Sequence, residues 1–343
     1  MTQLSKILAG VCAVFFTISG VIAIFLFNIE RKSFTAETYV QAFSEQGVYV
    51  TAPSLFADII ISSTEDPNGI SAVTSLLSRD NLTYVISWLL PPEEMEQVLN
   101  GVFESFFAFL NGDSESISIP LFPFKQYAAS GGAAQALTEI IRVQPECTAD
   151  QLWQMSMNLL SPNPILILCN PPEHLTNLVL PFFQTQFVAI TSSLPDELII
   201  TGDSQPGLLE FRTRIIRLRS AMRIVPVLPI IFLLGIAIFG VRSLKDWLMW
   251  WGIPFIVTGS ISAFIALIGA PIVRLFLERT ILQNDTSTSI IFLDTMRNVA
   301  GAVVGQILRP VIVEGVILAL IGAGMFVTVK VFLNKQRAPL STN

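Results

Sequence analysis

Four apolar runs, residues 7–27, 224–241, 247–272 and 311–333, divide this chain of 343 residues. Each is close to the roughly 20 residues an α-helix needs to cross a hydrocarbon core. Charged residues make up only 13% of the chain, about half the share usual in a soluble domain. The expected fold is therefore mainly α: a four-helix transmembrane protein with one large, mostly helical extramembrane domain inserted between the first and second spans. Residues 1–27 would form an N-terminal membrane anchor, 28–223 the extramembrane domain, and 224–343 the membrane domain.

The first run leads straight into Asn28, Ile29, Glu30, Arg31 and Lys32. This junction lacks the small-residue pattern that a signal peptidase reads, so the segment is expected to act as an uncleaved signal-anchor. Cys12 lies inside it and reads as an apolar filler. The other two cysteines, Cys147 and Cys169, both fall in the large polar segment and form the obvious disulfide pair. Such a bond would close a loop of about 23 residues, contribute about 3 kcal/mol and require an oxidising compartment. With one histidine and no closely spaced cysteines, the chain offers zinc little, and no metal or other cofactor is expected.

Inside 28–223 several helices can be read. Thr35 is a candidate N-cap for 36–46, with Gly47 as its stop. A helix over 91–110 starts behind Pro91 and Pro92, carries Glu93, Glu94 and Glu96 at its positive end, and meets Asn111 and Gly112 at its close. Thr148 can cap 149–160, and Pro171, Pro172 and Glu173 open another helix that Pro181 would kink or break. Residues 116–121 alternate weakly and are the best strand candidate.

The last part of the segment, about 206–223, sets Leu208, Leu209, Phe211, Ile215, Ile216, Leu218 and Met222 among Arg212, Arg214, Arg217, Arg219 and Arg223. That is a basic amphipathic stalk helix, suited to lipid headgroups or to pairing with the domain itself. Residues 28–211 hold 21 acidic and five basic side chains, whereas 212–223 hold five basic and none acidic. An acidic domain with a membrane-proximal basic stripe does not suggest nucleic acid. A second amphipathic stretch, 290–308, is expected to lie along the membrane surface or under the large domain.

Two rules place the large domain on opposite sides. Lysines and arginines near the span ends are more numerous on the side of 28–223, which taken literally is cytoplasmic. The paired cysteines, the scarcity of lysine in the domain and the N-terminal anchor favour an extracytoplasmic domain on a multi-pass protein of the cell membrane.

Few residues suggest chemistry. His174 must serve any histidine-dependent mechanism, but it follows a Pro-Pro helix start and reads as structural. Glu93, Glu94 and Glu96 are explained by the helix dipole; with Asp196 and His174 they would matter only if the fold gathered them in one pocket. Glu314 lies about one turn inside the fourth run, where an ionisable group has a partner or a function; Arg309 is the neighbouring candidate. Gly259, Ser260, Ser262 and Ala263 in the third run, and Gly322, Ala323 and Gly324 in the fourth, permit close helix packing.

The order of one span, a large domain and three further spans is similar to permease subunits of the MacB and FtsX type, which work with a separate ATPase. That resemblance implies a transport role. Residues 242–246 between the second and third runs leave little surface for an ATPase to grip. The leading expectation is a non-enzymatic envelope protein whose domain binds a protein, lipid or ligand as a scaffold or accessory subunit. Its expected partners are membrane lipids and either another protein or a second copy of the chain. The alternatives are a transporter or channel component using Glu314 and a carboxylate-dependent ectoenzyme. A membrane-impermeant maleimide applied to unreduced vesicles is expected to leave Cys147 and Cys169 unlabelled and, after reduction, to reach them only from the extracytoplasmic side. Labelling from the cytoplasm without reductant overturns both bond and orientation.

Overall fold

The structure is a computed structural model, and it describes residues 3–63, 79–129, 131, 138–139, 141–142, 144–158, 169–172, 181, 185, 188–189, 191–201, 206–284 and 290–333. The expected helix beyond Pro172, with His174, lies outside these residues apart from isolated positions.

The described chain is mostly helical. Helix α1 spans Gln3–Ser33. Helix α2, Ala36–Glu45, stops at Gly47, whose φ of +61° suits glycine. Thr35 stands at its N-cap position with extended backbone but makes no side-chain cap; its hydroxyl donates to the Lys32 carbonyl instead. Helix α3 spans Val48–Ser63 and α4 Arg79–Leu89. Helix α5, Pro92–Asn111, follows Pro91 and ends on Gly112 at φ +91°, a left-handed C-cap. Strand β1, Ser116–Pro120, pairs antiparallel with β2, Glu197–Thr201, with Ser118 opposite Ile199.

Helix α6 covers Phe122–Ala129 and α7 Ala149–Asn158. Thr148 caps α7 reciprocally: the Gln151 N–H donates to its Oγ1 at 3.3 Å, and its own N–H donates to Gln151 Oε1 at 2.9 Å. Beside this cap Cys147 and Cys169 are bonded, with Cα atoms 4.9 Å apart. Helix α8, Pro206–Ile224, turns at Val225 and Pro226 into α9, Val227–Gly240. Helices α10, Leu244–Asn284, and α11, Ile290–Thr328, follow, and a π-helical turn, Val329–Leu333, extends α11.

Among the described residues four segments are long and apolar enough to cross a membrane: Gln3–Ser33, Gly207–Gly240, Leu244–Val273 and Phe292–Val331. The stretch 290–308 is not a separate surface helix, because α11 runs through Pro310 without a break. A proline removes one hydrogen bond. Continuing the helix keeps Val299, Ala302 and Val303 packed against Ala42, Phe43 and Val48.

Helices α10 and α11 touch at their backbones. A Cβ added to Gly259 would lie 2.3 Å from the Gly315 carbonyl oxygen, one on Gly315 would lie 2.8 Å from the Gly259 oxygen, and one on Gly322 would lie 2.6 Å from the Gly252 oxygen. Glycines seven residues apart on both helices thus set an antiparallel contact that only glycine permits. Of the small residues singled out in the sequence, Gly259, Ala263 and Gly322 lie in this contact, whereas Gly324 meets nothing within 4 Å.

Helix α1 packs on the pair and on α9. Ser5 donates to the Phe239 carbonyl at 2.8 Å. Phe15 stacks on Phe232 and Phe16 on Phe255, with centroids 5.4 and 5.6 Å apart. Cys12, a free thiol, fills the space beside Gly235.

The other elements form small cores of their own. Phe107, Phe109, Leu110 and Ile117 are buried with Ala36, Tyr39, Phe103, Phe106 and Leu208 against them, tying α2, α5, β1 and α8 together. Tyr49, Ala52 and Met95 join α3 to α5. Gly315→Ala and Gly259→Ala are expected to destabilise the purified chain by about 1–3 kcal/mol each, as overpacking does, whereas Gly324→Ala leaves it unchanged. Thermal unfolding in detergent checks this, and equal melting of all three variants contradicts the close contact.

Candidate functional site

The C-terminal end of α1 brings together both groups of residues that the sequence singles out as unusual. The apolar run ends at Phe27, and the next turn presents Asn28 and Glu30 in two directions.

Asn28 is 1% exposed. Its Nδ2 donates to the Ile24 carbonyl at 2.9 Å and to Glu314 Oε2 at 2.7 Å. Glu314 therefore meets an amide from α1, and Arg309, exposed on α11, is not its partner. An amide can hold a carboxylate in place without cancelling its charge. The surroundings are apolar: Val311 is fully buried beside Pro310, and Val313, Val316 and Ile317 face outward.

Glu30 receives the arginines of α8. Arg219 donates through one terminal nitrogen to Glu30 Oε1 at 2.9 Å and through the other to the Asn111 side-chain oxygen, while its guanidinium lies over the Phe34 ring at 4.8 Å. Arg223 Nε donates to the same Glu30 oxygen at 2.9 Å. The side chains of Arg219 and Glu30 are each only 13% exposed, against 65% for Arg223. Arg212 lies over the Phe109 ring at 4.9 Å. Arg214 pairs with Glu210 on its own helix, and Arg217 is exposed. Three of the five α8 arginines thus bind other elements, and Arg214 and Arg217 stand outside these contacts.

The other carboxylates do not gather. Glu93 and Glu96 are exposed on the first turns of α5. Burial pushes the Tyr127 phenol above its ordinary pKa, and the charges of Glu94 and Glu93 add to the effect. Tyr49, which donates to Asn100 Oδ1, is raised by burial and then by Glu96. Asp196 is 70% exposed and pairs with Lys125 at 2.5 Å. Among the described residues no three metal-ligating side chains lie together.

Sequence reasoning missed Asn28 and Glu30 as partners. Asn28 sits 286 residues from Glu314, and the only signal was a polar side chain directly after an apolar run. No protein-family profile, curated protein or solved structure matches the chain.

Removing Arg219 leaves the mostly buried Glu30 to the exposed Arg223 alone and takes the guanidinium donor from Asn111, and each hydrogen bond to a charged group contributes about 1.5–3 kcal/mol. Arg219→Ala is expected to lower the midpoint of thermal unfolding by several degrees, and Arg214→Ala, whose pair is exposed, to leave it within error. Equal midpoints for the two variants would show that the α1–α8 clamp does not hold the fold.

Proposed function

We propose that this chain is a multi-pass protein of the cell membrane. In this reading residues 1–27 serve as an uncleaved signal-anchor, and residues 28–223 form an extracytoplasmic domain that binds a protein partner as a scaffold or accessory subunit. The observation that carries the partner reading is β2. The sheet has two strands among the described residues, which leaves β2 at its edge. All five β2 residues are exposed, including Leu198, Ile199 and Ile200 at 45, 57 and 39%. An edge strand bearing three apolar side chains is a template for strand addition by another chain.

Supporting the extracytoplasmic side are the Cys147–Cys169 bond, which persists in oxidising compartments, and the stalk itself. Arg212, Arg219 and Arg223 are engaged by Phe109 and Glu30, so they act as structural members of the fold and weigh less as topogenic charges. Arg214 and Arg217 are left to meet lipid headgroups.

A second reading, a transport or channel component, is favoured by one observation: Glu314 is held by Asn28 within the apolar helices, where ionisable groups mark pathways. The carboxylate ectoenzyme has no such support, since Glu93 and Glu96 stand exposed and Lys125 occupies Asp196.

A photocrosslinking amino acid placed at Ile199, in the chain as it resides in its native membrane, tests the leading reading. The expected result is one discrete adduct, with none from the same probe at exposed Arg217. Introducing Pro at Leu198 should abolish the adduct. Absence of an adduct at Ile199, or equal adducts at both positions, sinks the β2 reading.

A further inference from the structure

We propose that the partner of β2 is a second copy of this chain, paired antiparallel through the same strand about a two-fold axis at Ile199. The inference rests on the reading of β2 as a docking edge and names what docks there.

The direction of each backbone group in β2 follows from its pairing with β1. Leu121, next in the register after Pro120, donates its N–H to the Asp196 carbonyl at 2.8 Å. Bonded and non-bonded pairs alternate along an antiparallel ladder, so Leu198 and Ile200 turn their N–H and C=O groups toward β1, and Glu197, Ile199 and Thr201 turn theirs away. Strand β1 agrees at two positions. Opposite Glu197 stands Pro120, which has no N–H to give, and opposite Ile199 stands Ser118, whose N–H goes to Ser105 Oγ of α5 at 2.6 Å. Among the described residues no backbone group takes the outward bonds of Ile199.

Natural sheet edges are blunted by lysine, proline or a bulge. Strand β2 has none of these: its register runs unbroken from Glu197 to Thr201, and its middle is Leu198, Ile199 and Ile200, all exposed. The strand is also its own complement, as a two-fold interface requires. Outward groups must meet outward groups, and an axis through Ile199 lets that residue and its counterpart exchange both hydrogen bonds. The same axis sets Leu198 against Ile200 of the second copy on one face and Ile199 against Ile199 on the other, apolar on apolar throughout. Glu197 falls opposite Thr201 of the second copy, so the one charge of the strand never meets itself. An axis at Leu198 would set Glu197 against Ile199, and one at Ile200 would push Glu197 beyond the paired strand. The neighbouring Asp196 is paired with Lys125, so the edge brings little like charge together.

The test is oxidative crosslinking, in native membranes, of the full chain carrying one added cysteine on a Cys12→Ala background, since Cys12 is the free thiol and Cys147 and Cys169 are bonded. Opposed residues of a bonded pair have Cα atoms about 5.5 Å apart, within reach of a disulfide. Ile199→Cys is expected to give a covalent dimer of two chains, about fivefold or more above Leu198→Cys or Ile200→Cys alone, whose thiols lie across the diagonal. Co-expressing Leu198→Cys and Ile200→Cys under different tags should restore a crosslink that joins the two tags. Ile199→Pro removes an outward N–H and leaves the bonds to β1 in place; it should end co-purification of two differently tagged copies while the midpoint of thermal unfolding stays near that of the parent. A photoadduct at Ile199 with a different protein, and no dimer from Ile199→Cys, overturns self-pairing and leaves the docking edge standing. Absence of any adduct at Ile199 overturns both, and equal dimer from all three single-cysteine variants overturns the two-fold pairing.

Discussion

The contact between the backbones of α10 and α11 is the constraint on which the rest of the described structure depends. Gly259 and Gly315 leave no room for a side chain on either helix, so neither helix can slide along the other without a clash. A fixed register sets the depth of every residue on both helices. It places Glu314 next to the Gly259–Gly315 contact, and α1 packs alongside through Phe16, Gly20 and Asn28. Where side chains lie in apolar surroundings, association comes from close packing and a few hydrogen bonds, and this junction has both.

From that contact the chain continues to Glu30 and Phe34, which hold Arg219 and Arg223 of α8. The clamp explains a charge pattern that is otherwise odd. Five arginines with no acidic residue among them repel one another, yet α8 adds Arg212 and Arg219 to a mostly buried surface. Arg212 lies over Phe109 and Arg219 over Phe34 while also meeting a carboxylate. Guanidinium groups combine flat stacking with directed donation in a way lysine does not. The basic face of α8 meets a carboxylate, two aromatic rings and an amide oxygen at the end of α5.

Much of this was legible in the sequence because it is written in local pattern. Each of the four apolar runs overlaps a segment of spanning length, although the segments at the second and fourth runs begin well before the runs do. The helix over 91–110 shows its start in two prolines and its end in Asn111 and Gly112. The disulfide followed from there being three cysteines with one inside an apolar run. What could not be read is long-range. Strand β2 has the composition of many buried segments and declares itself only by pairing with β1. Gly252 and Gly315 carry no periodic signal until the partner helix is known. Pro310 argued for a break between 290–308 and the fourth run, but packing of Val299 and Val303 on α2 and α3 outweighs one lost hydrogen bond. The partners of Glu314 and Arg219 lie 286 and 189 residues away, beyond any pattern that spacing reveals.

The continuity of α11 has a mechanical side. Val299, against which Ala42 and Val48 rest, and Glu314, which Asn28 holds, belong to one unbroken helix and are separated along it by about 22 Å. Between them stands Pro310, where the ladder lacks one rung. The helix is therefore a lever with a single soft joint. Because Gly315 and Gly322 pin the far arm against α10, force applied at Ala42 and Val48 would be taken up by the near arm, bending at Pro310.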